Sequence, residues 1–256
     1  MKWLVKIGGS LLDDPGARQR LAEELGALWQ AYPQLVVVHG GGKQMTRYLS
    51  EHGVESRFVN GLRVTTPEVL DAVLKVFTGT VNRELVSTLI AAGVPAVGLS
   101  GIDGQLVEAE ELDPRLGAVG RPVRSNPGVL EALLSHGYVP VVACVAGDRR
   151  GRIYNVNADQ MAVACARAWG AERLVFLTDV VGVLDSSGNR ISTLDLEGIE
   201  ELVRSGVATG GMLAKLTAAR AALEEGRCEV WIAPGAEPGI LRRLLDGEAL
   251  GTKLTR

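Results

Sequence analysis

The chain has 256 residues, 46% of them hydrophobic and 4% aromatic, and a formal net charge of −3. That length buries a substantial core, as one large α/β domain or as two lobes sharing a sheet, and no apolar run nears the ~18 residues of a membrane helix. Interspersed charges, the lack of a basic face and few aromatic rings argue against nucleic acid and for a small-molecule partner.

Strand-like runs at 2–7, 35–39, 94–99, 138–145, 173–178 and 229–233 alternate with helix-like segments at 16–31, 43–52, 67–92, 127–137, 158–170, 195–205, 211–226 and 237–246. The alternation predicts an α/β protein, a three-layer αβα sandwich around a mainly parallel open sheet. The first run meets glycines at once, with no cleavage site, and reads as a strand rather than an export signal. Polar, turn-rich stretches at 101–126 and 146–155 interrupt the alternation and predict small antiparallel hairpins on the central sheet. No linker or repeat is visible, so two lobes of one continuous sheet are expected, 1–170 and 171–256. Ligands then belong beyond the carboxyl ends of the strands.

Cys144, Cys165 and Cys228 are odd in number and lack C-x-x-C spacing, as expected of reduced, structural thiols in a cytoplasmic protein. His39, His52 and His136 show no paired ligand spacing, so no protein-held transition metal is expected.

The chemistry-bearing residues also follow chain order. Lys6 sits in an apolar strand, where an ammonium needs a carboxylate, an anionic ligand or an exposed edge. Lys6-Ile7-Gly8-Gly9-Ser10 and Val36-Val37-Val38-His39-Gly40-Gly41-Gly42-Lys43 each end a strand in glycines. Such turns either expose amides to an anion or need glycine for positive φ. Neither is a Walker A loop, because Gln44 stands where that motif has a hydroxyl. Arg63, before a helix starting near Pro67, would grip a carboxylate or make a surface salt bridge. Asn157 and Asp159 suit a helix N-terminus, and an acid there could also orient lysines. Asp179 ends a buried strand. Thr209-Gly210-Gly211 opens a helix carrying Lys215, which would face a phosphate or solvent.

In order and combination these segments resemble the amino acid kinase family. The resemblance spans nearly the whole chain, through His39-Gly40-Gly41-Gly42, Gly61-Leu62-Arg63-Val64-Thr65, Leu99-Ser100-Gly101, Asn155-Val156-Asn157-Ala158-Asp159, Thr178-Asp179-Val180 and Gly210-Gly211-Met212. It implies an ATP-dependent kinase that phosphorylates the side-chain carboxylate of N-acetyl-L-glutamate, the second step of acetylated arginine biosynthesis, with Mg²⁺ carried in by ATP. By the same resemblance Lys6 and Lys215 stabilise the transferring phosphoryl group and Asp159 holds them. Gly8, Gly9, Gly41 and Gly42 offer amides to the γ-phosphate and the substrate carboxylate, and Arg63 and Asn155 bind substrate. The loop Asp179, Val180, Val181, Gly182, Val183, Leu184 and the segment Val207, Ala208, Thr209 line the nucleotide.

The resemblance assigns the acetylated amino acid and dimer formation to lobe 1–170, and ATP to lobe 171–256. Arginine-inhibited hexameric members carry an extra helix ahead of the first strand, which here starts at residue 2, so an arginine-insensitive homodimer is expected. The rivals are a kinase for acetylated or carrier-linked aminoadipate in lysine biosynthesis and a catalytically silent amino-acid-sensing module of the same fold.

Overall fold

The computed structural model describes residues 1–224 and 228–256. Chain order runs β1 (Trp3–Ile7), α1 (Pro15–Ala31), β2 (Leu35–His39), α2 (Gly42–Glu51), β3 (Phe58–Val59), β4 (Leu62–Arg63) and α3 (Pro67–Val73). A π-helical stretch, Leu74–Val81, then leads into α4 (Asn82–Ala91), β5 (Ala96–Ser100), β6 (Val107–Glu111), β7 (Val119–Ser125), α5 (Gly128–Ser135), β8 (Val139–Ala143), β9 (Val145–Gly147) and β10 (Ile153–Val156). The C-terminal part holds α6 (Ala158–Trp169), β11 (Arg173–Thr178), β12 (Thr193–Leu194), α7 (Leu196–Arg204), α8 (Gly210–Glu224), β13 (Glu229–Pro234), α9 (Ile240–Leu245) and β14 (Thr252–Leu254). The expected helix 211–226 is seen to Glu224; 225 and 226 lie outside the described residues.

Among the described residues an eight-stranded sheet runs β12-β14-β13-β11-β1-β2-β8-β5, parallel except where β13 meets β14. β1, β2 and β8 are buried along their whole length, as strands covered on both faces must be. Several helices begin on side-chain caps that the sequence encodes. Asp14 before Pro15, Thr66 before Pro67, Asn157 and Asp195 each accept a backbone amide of the first turn, a contact worth ~1 kcal/mol per helix. No described helix is long and apolar enough to cross a membrane.

Three expectations are corrected. The polar interruptions are not hairpins on the central sheet: β6, β7, β9 and β10 close into a small barrel of their own, with β7–β10 and β6–β9 parallel. The segment 67–92 is not one α-helix, because its middle is π-helical. Strands β12 and β14, of two and three residues, are too short to show a sequence period, and they extend the sheet beyond β13.

Candidate active site

Lys6 on β1, Asp159 in the first turn of α6 and Lys215 on α8 converge. The Lys6 Nζ lies 2.7 Å from Asp159 Oδ1, and the Lys215 Nζ lies 3.1 and 3.0 Å from Oδ1 and Oδ2. Each of the three is only 6% exposed. Lys215 also stands 5.4 Å above the ring of Phe176, the residue paired with Lys6 across β1–β11. Burial alone would raise the Asp159 carboxyl, but the two ammonium groups and their hydrogen bonds hold it below the ordinary carboxylate range. Burial and the charge of Lys6 push Lys215 down, against the pull of Asp159. Two ammonium groups on one carboxylate leave a buried net positive charge. Such an arrangement is costly as structure and suited to an anion.

The two glycine turns pack on each other. A Cβ on Gly9 would lie 2.8–2.9 Å from the backbone of Gly41 and Gly42, so the chains approach closer than any side chain permits. Gln44 Nε2 donates to the Gly9 carbonyl at 3.0 Å and locks the contact. The expectation of positive φ at these glycines is corrected, since none of Gly8, Gly9, Gly40, Gly41 and Gly42 adopts one. Gly8 is also corrected as an amide donor to phosphate: its N–H continues the ladder to the Leu177 carbonyl at 2.9 Å. A Cβ at Gly42, by contrast, meets nothing within 4 Å. Gly9→Ala is therefore expected to lower Tm by several degrees, roughly what ~2 kcal/mol of overpacking costs. Gly42→Ala should keep the wild-type Tm and lose activity only if a ligand fills that space; thermal melts and turnover on both variants check this.

Arg63, on β4, is buried and donates to Ser56 Oγ, to the Gly42 carbonyl at 3.2 Å and to Thr46 Oγ1 at 2.8 Å, with the Phe58 ring 4.5 Å from its guanidinium carbon. Both terminal nitrogens are thus engaged within the protein. These contacts pin the β3–β4 hairpin to α2. Asn155 Nδ2 donates to Thr65 Oγ1 at 3.0 Å, and Thr65 donates to the Arg63 carbonyl, which links β10 to the same hairpin. Gly9, Ser10, Gly42, Lys43, Arg63 and Asp179 line an open cavity of about 750 Å³ at the carboxyl end of the sheet. A cavity of about 700 Å³ between α1 and α9 contains none of these groups.

Burial would raise the Asp179 carboxyl, but the Ser10 and Thr178 hydroxyls and its own amide, with Lys43 nearby, hold it low. Beyond it Val180, Val181 and Leu184 are exposed, whereas Val183 is buried and its N–H donates to Thr252 Oγ1 at 2.8 Å. Ala208 is buried too, its amide bonded to Leu202, while Thr209 is exposed at the start of α8. Gly182, Val183 and Ala208 are thus the buried members of the two segments, and Val180, Val181, Leu184 and Thr209 the exposed ones.

Ser10, Lys43, Thr46, Ser56 and Asn82 were not singled out from the sequence. Asn60-Gly61, with φ of 49° and 78°, was the one signal for the β3–β4 hairpin, because both residues accept the left-handed backbone of a tight turn. Its tip rests on α8, with Gly61 facing Gly210.

His39 is fully buried. Its Nδ1 bonds the Gly40 carbonyl at 3.0 Å and its Nε2 faces Asn82 Nδ2 at 2.9 Å. Burial, partly opposed by the Gly40 bond and aided by the charges of Arg83 and Lys6, pushes its pKa down to about 4. The unfolded chain, titrating near 6.5, binds the extra proton first, so stability present above that pH is lost as pH falls towards 4. The loss should reach about 3 kcal/mol. Urea unfolding between pH 7 and 4 should show this slope in the wild type and a shallower one in His39→Gln; equal slopes would contradict it.

A model of the amino acid kinase family matches residues 1–234. An acetylglutamate kinase of Solibacter usitatus (strain Ellin6076) is 61% identical over 254 residues, spanning 99% of each chain. The chloroplastic acetylglutamate kinase of Arabidopsis thaliana is 37% identical over 98% of this chain and 74% of its own. A solved structure of N-acetylglutamate synthase from Neisseria gonorrhoeae, complexed with coenzyme A and N-acetyl-glutamate, superposes with a TM-score of 0.88 at 26% identity, over 100% of this chain and 59% of that one.

Proposed function

The chain belongs to the amino acid kinase family, and we propose that it transfers the γ-phosphoryl group of ATP to the side-chain carboxylate of N-acetyl-L-glutamate, giving the acyl phosphate used in arginine biosynthesis. The relatives' activity points to the substrate. The observation that carries the chemistry is the buried Lys6–Asp159–Lys215 cluster with its excess positive charge, placed beside the paired glycine turns.

Phosphoryl transfer asks for positioning and charge stabilisation more than covalent help. The acceptor carboxylate is ionised at neutral pH, so no general base is needed, and the neutral, buried His39 is not required to act as one. In this reading Lys6 and Lys215 lie along the transferring group, Asp159 fixes both, and Gly9, Gly41 and Gly42 bring backbone amides to the anions. The 1–170 part takes the acetylated amino acid. The 171–256 part takes the nucleotide over Asp179, the exposed Val180 and Val181, and Thr209. Mg²⁺ enters with ATP and is held mainly by phosphate oxygens and water, as this ion prefers.

A cytoplasmic homodimer completes the proposal. Strand β5 ends the sheet with an unpaired edge, and Ile90 on the adjoining α4 is 56% exposed. Arg63→Lys should raise the KM for the acetylated amino acid about 10-fold and leave that for ATP within about 2-fold, because an ammonium cannot bridge Ser56, Thr46 and Gly42 together. Initial-rate kinetics with each substrate varied decide this.

The function itself is tested by coupled ADP release with N-acetylglutamate, glutamate, N-acetylaminoadipate and aspartate side by side. N-acetylglutamate should give the highest kcat/KM. A preference for N-acetylaminoadipate would overturn the substrate, and no turnover with any acceptor would favour a sensing module.

A further inference from the structure

The glycine turn after β2 is held from behind by residues with no role in the chemistry above. Phe77 Cδ1 and Cε1 lie 2.9 and 3.0 Å from where a Cβ on Gly41 would sit, and Val81 Cγ2 lies 3.3 Å from it. That direction points into the core, since Phe77 and Val81 are 6% and 3% exposed. The next residue, Asn82, is fully buried and sends Nδ2 to the Val141 carbonyl and to His39 Nε2, both at 2.9 Å. A carbonyl only accepts, so the amide nitrogen must face Val141. Its second hydrogen then goes to Nε2, and the His39 proton sits on Nδ1 and is donated to the Gly40 carbonyl. The relay Val141, Asn82, His39, Gly40 leaves none of these contacts free to reorient.

The π-helical register explains how one segment reaches all of this. In an α-helix residues five apart point about 140° away from each other. The i→i+5 repeat of Leu74–Val81 turns Phe77 and Asn82 towards the same side, with Val81 beside them.

We propose that His39, Asn82 and Phe77 are positioning residues, and that the π-helical stretch is a clamp that sets where Gly41 and Gly42 present their amides to the acceptor, while the Gly40 amide stays bonded to the Ile7 carbonyl. This rests on the reading of that turn as part of the acceptor site. A displacement of about 1 Å at a reacting centre can cost about 100-fold in rate, so the clamp is read in kinetics as well as in stability.

The test is a double-mutant cycle of Gly41→Ala and Phe77→Leu, with His39→Phe and His39→Gln alongside, each assayed by urea unfolding and by kinetics with acceptor and ATP varied separately. Gly41→Ala should lose at least about 30-fold in kcat/KM for the acceptor, and adding Phe77→Leu should recover about 10-fold of it, with a matching coupling in stability. His39→Phe, nearly the same shape without the two hydrogen bonds, should lower kcat about 10-fold or more and leave the ATP KM within about 2-fold. His39→Gln, which can both donate to Gly40 and accept from Asn82, should restore most of it. Full activity in His39→Phe, or a folded double variant no better than Gly41→Ala, would overturn the proposal. If the wild type phosphorylated no acetylated amino acid, the functional reading would fall on its own, and the stability coupling would still report on the clamp.

Discussion

Replacing Lys215 or Lys6 by methionine is expected to lower kcat by about 10²–10³-fold, the range found when one preorganised stabiliser of transition-state charge is removed, while Tm changes by only a few degrees. Both halves follow from the same geometry. Asp159 bonds both ammonium groups, so losing either lysine leaves a neutral, still hydrogen-bonded pair in place of a buried cluster carrying excess charge. Desolvating each buried ion costs several kcal/mol, and well-packed apolar replacements are often neutral or stabilising. The charge lost is the one that strengthens as the phosphoryl group loosens, so kcat should fall rather than KM rise. Turnover above half of wild type in either variant would remove that lysine from the mechanism.

Asp159→Asn should act the other way on stability. Both lysines would then lie at 6% exposure with no carboxylate bonded to either and only the more distant charge of Asp179 acting on Lys215, and breaking a buried pair this way costs about 3–5 kcal/mol. At roughly 2–4 °C per kcal/mol for a chain of this size, Tm should drop by about 10 °C. Adding Lys6→Met to Asp159→Asn should recover much of the Tm, because one lone lysine can shed its proton, but none of the activity. Calorimetry on the single and double variants separates the two effects. An Asp159→Asn protein as stable as wild type would mean that the cluster is solvated and not the charged core described above.

The residues of this cluster were legible because each is out of place locally: a lysine in an apolar strand, an acid and a lysine near helix starts that glycines or caps mark. Their pairing came only from the family resemblance, because it depends on α6 and α8 crossing beside β1, and no local pattern specifies that. Of the two readings of the glycine turns, the one by positive φ fails. Positive φ is a local property a sequence can suggest, whereas the contact of Gly9 with Gly41 and Gly42 joins segments more than thirty residues apart. Arg63 was found but its partners Ser56, Thr46 and Gly42 were not, since they come together only when the Asn60-Gly61 turn folds the hairpin onto α2. The π-helical stretch carries no strong composition signal and its partners, His39 and Gly41, are remote. The hairpins expected at 101–126 and 146–155 were recognised as strands, but closure into a barrel is set by long-range pairing.

In the proposed reaction this site makes an acyl phosphate on the side-chain carboxylate of N-acetyl-L-glutamate. Hydroxylamine traps such a product as a hydroxamate, so the most direct measurement is hydroxamate formed from ATP and N-acetyl-L-glutamate, counted against ADP released. One hydroxamate per ADP, lost in Lys215→Met, is the predicted result. ADP release without hydroxamate, or an undiminished yield in Lys215→Met, would contradict it.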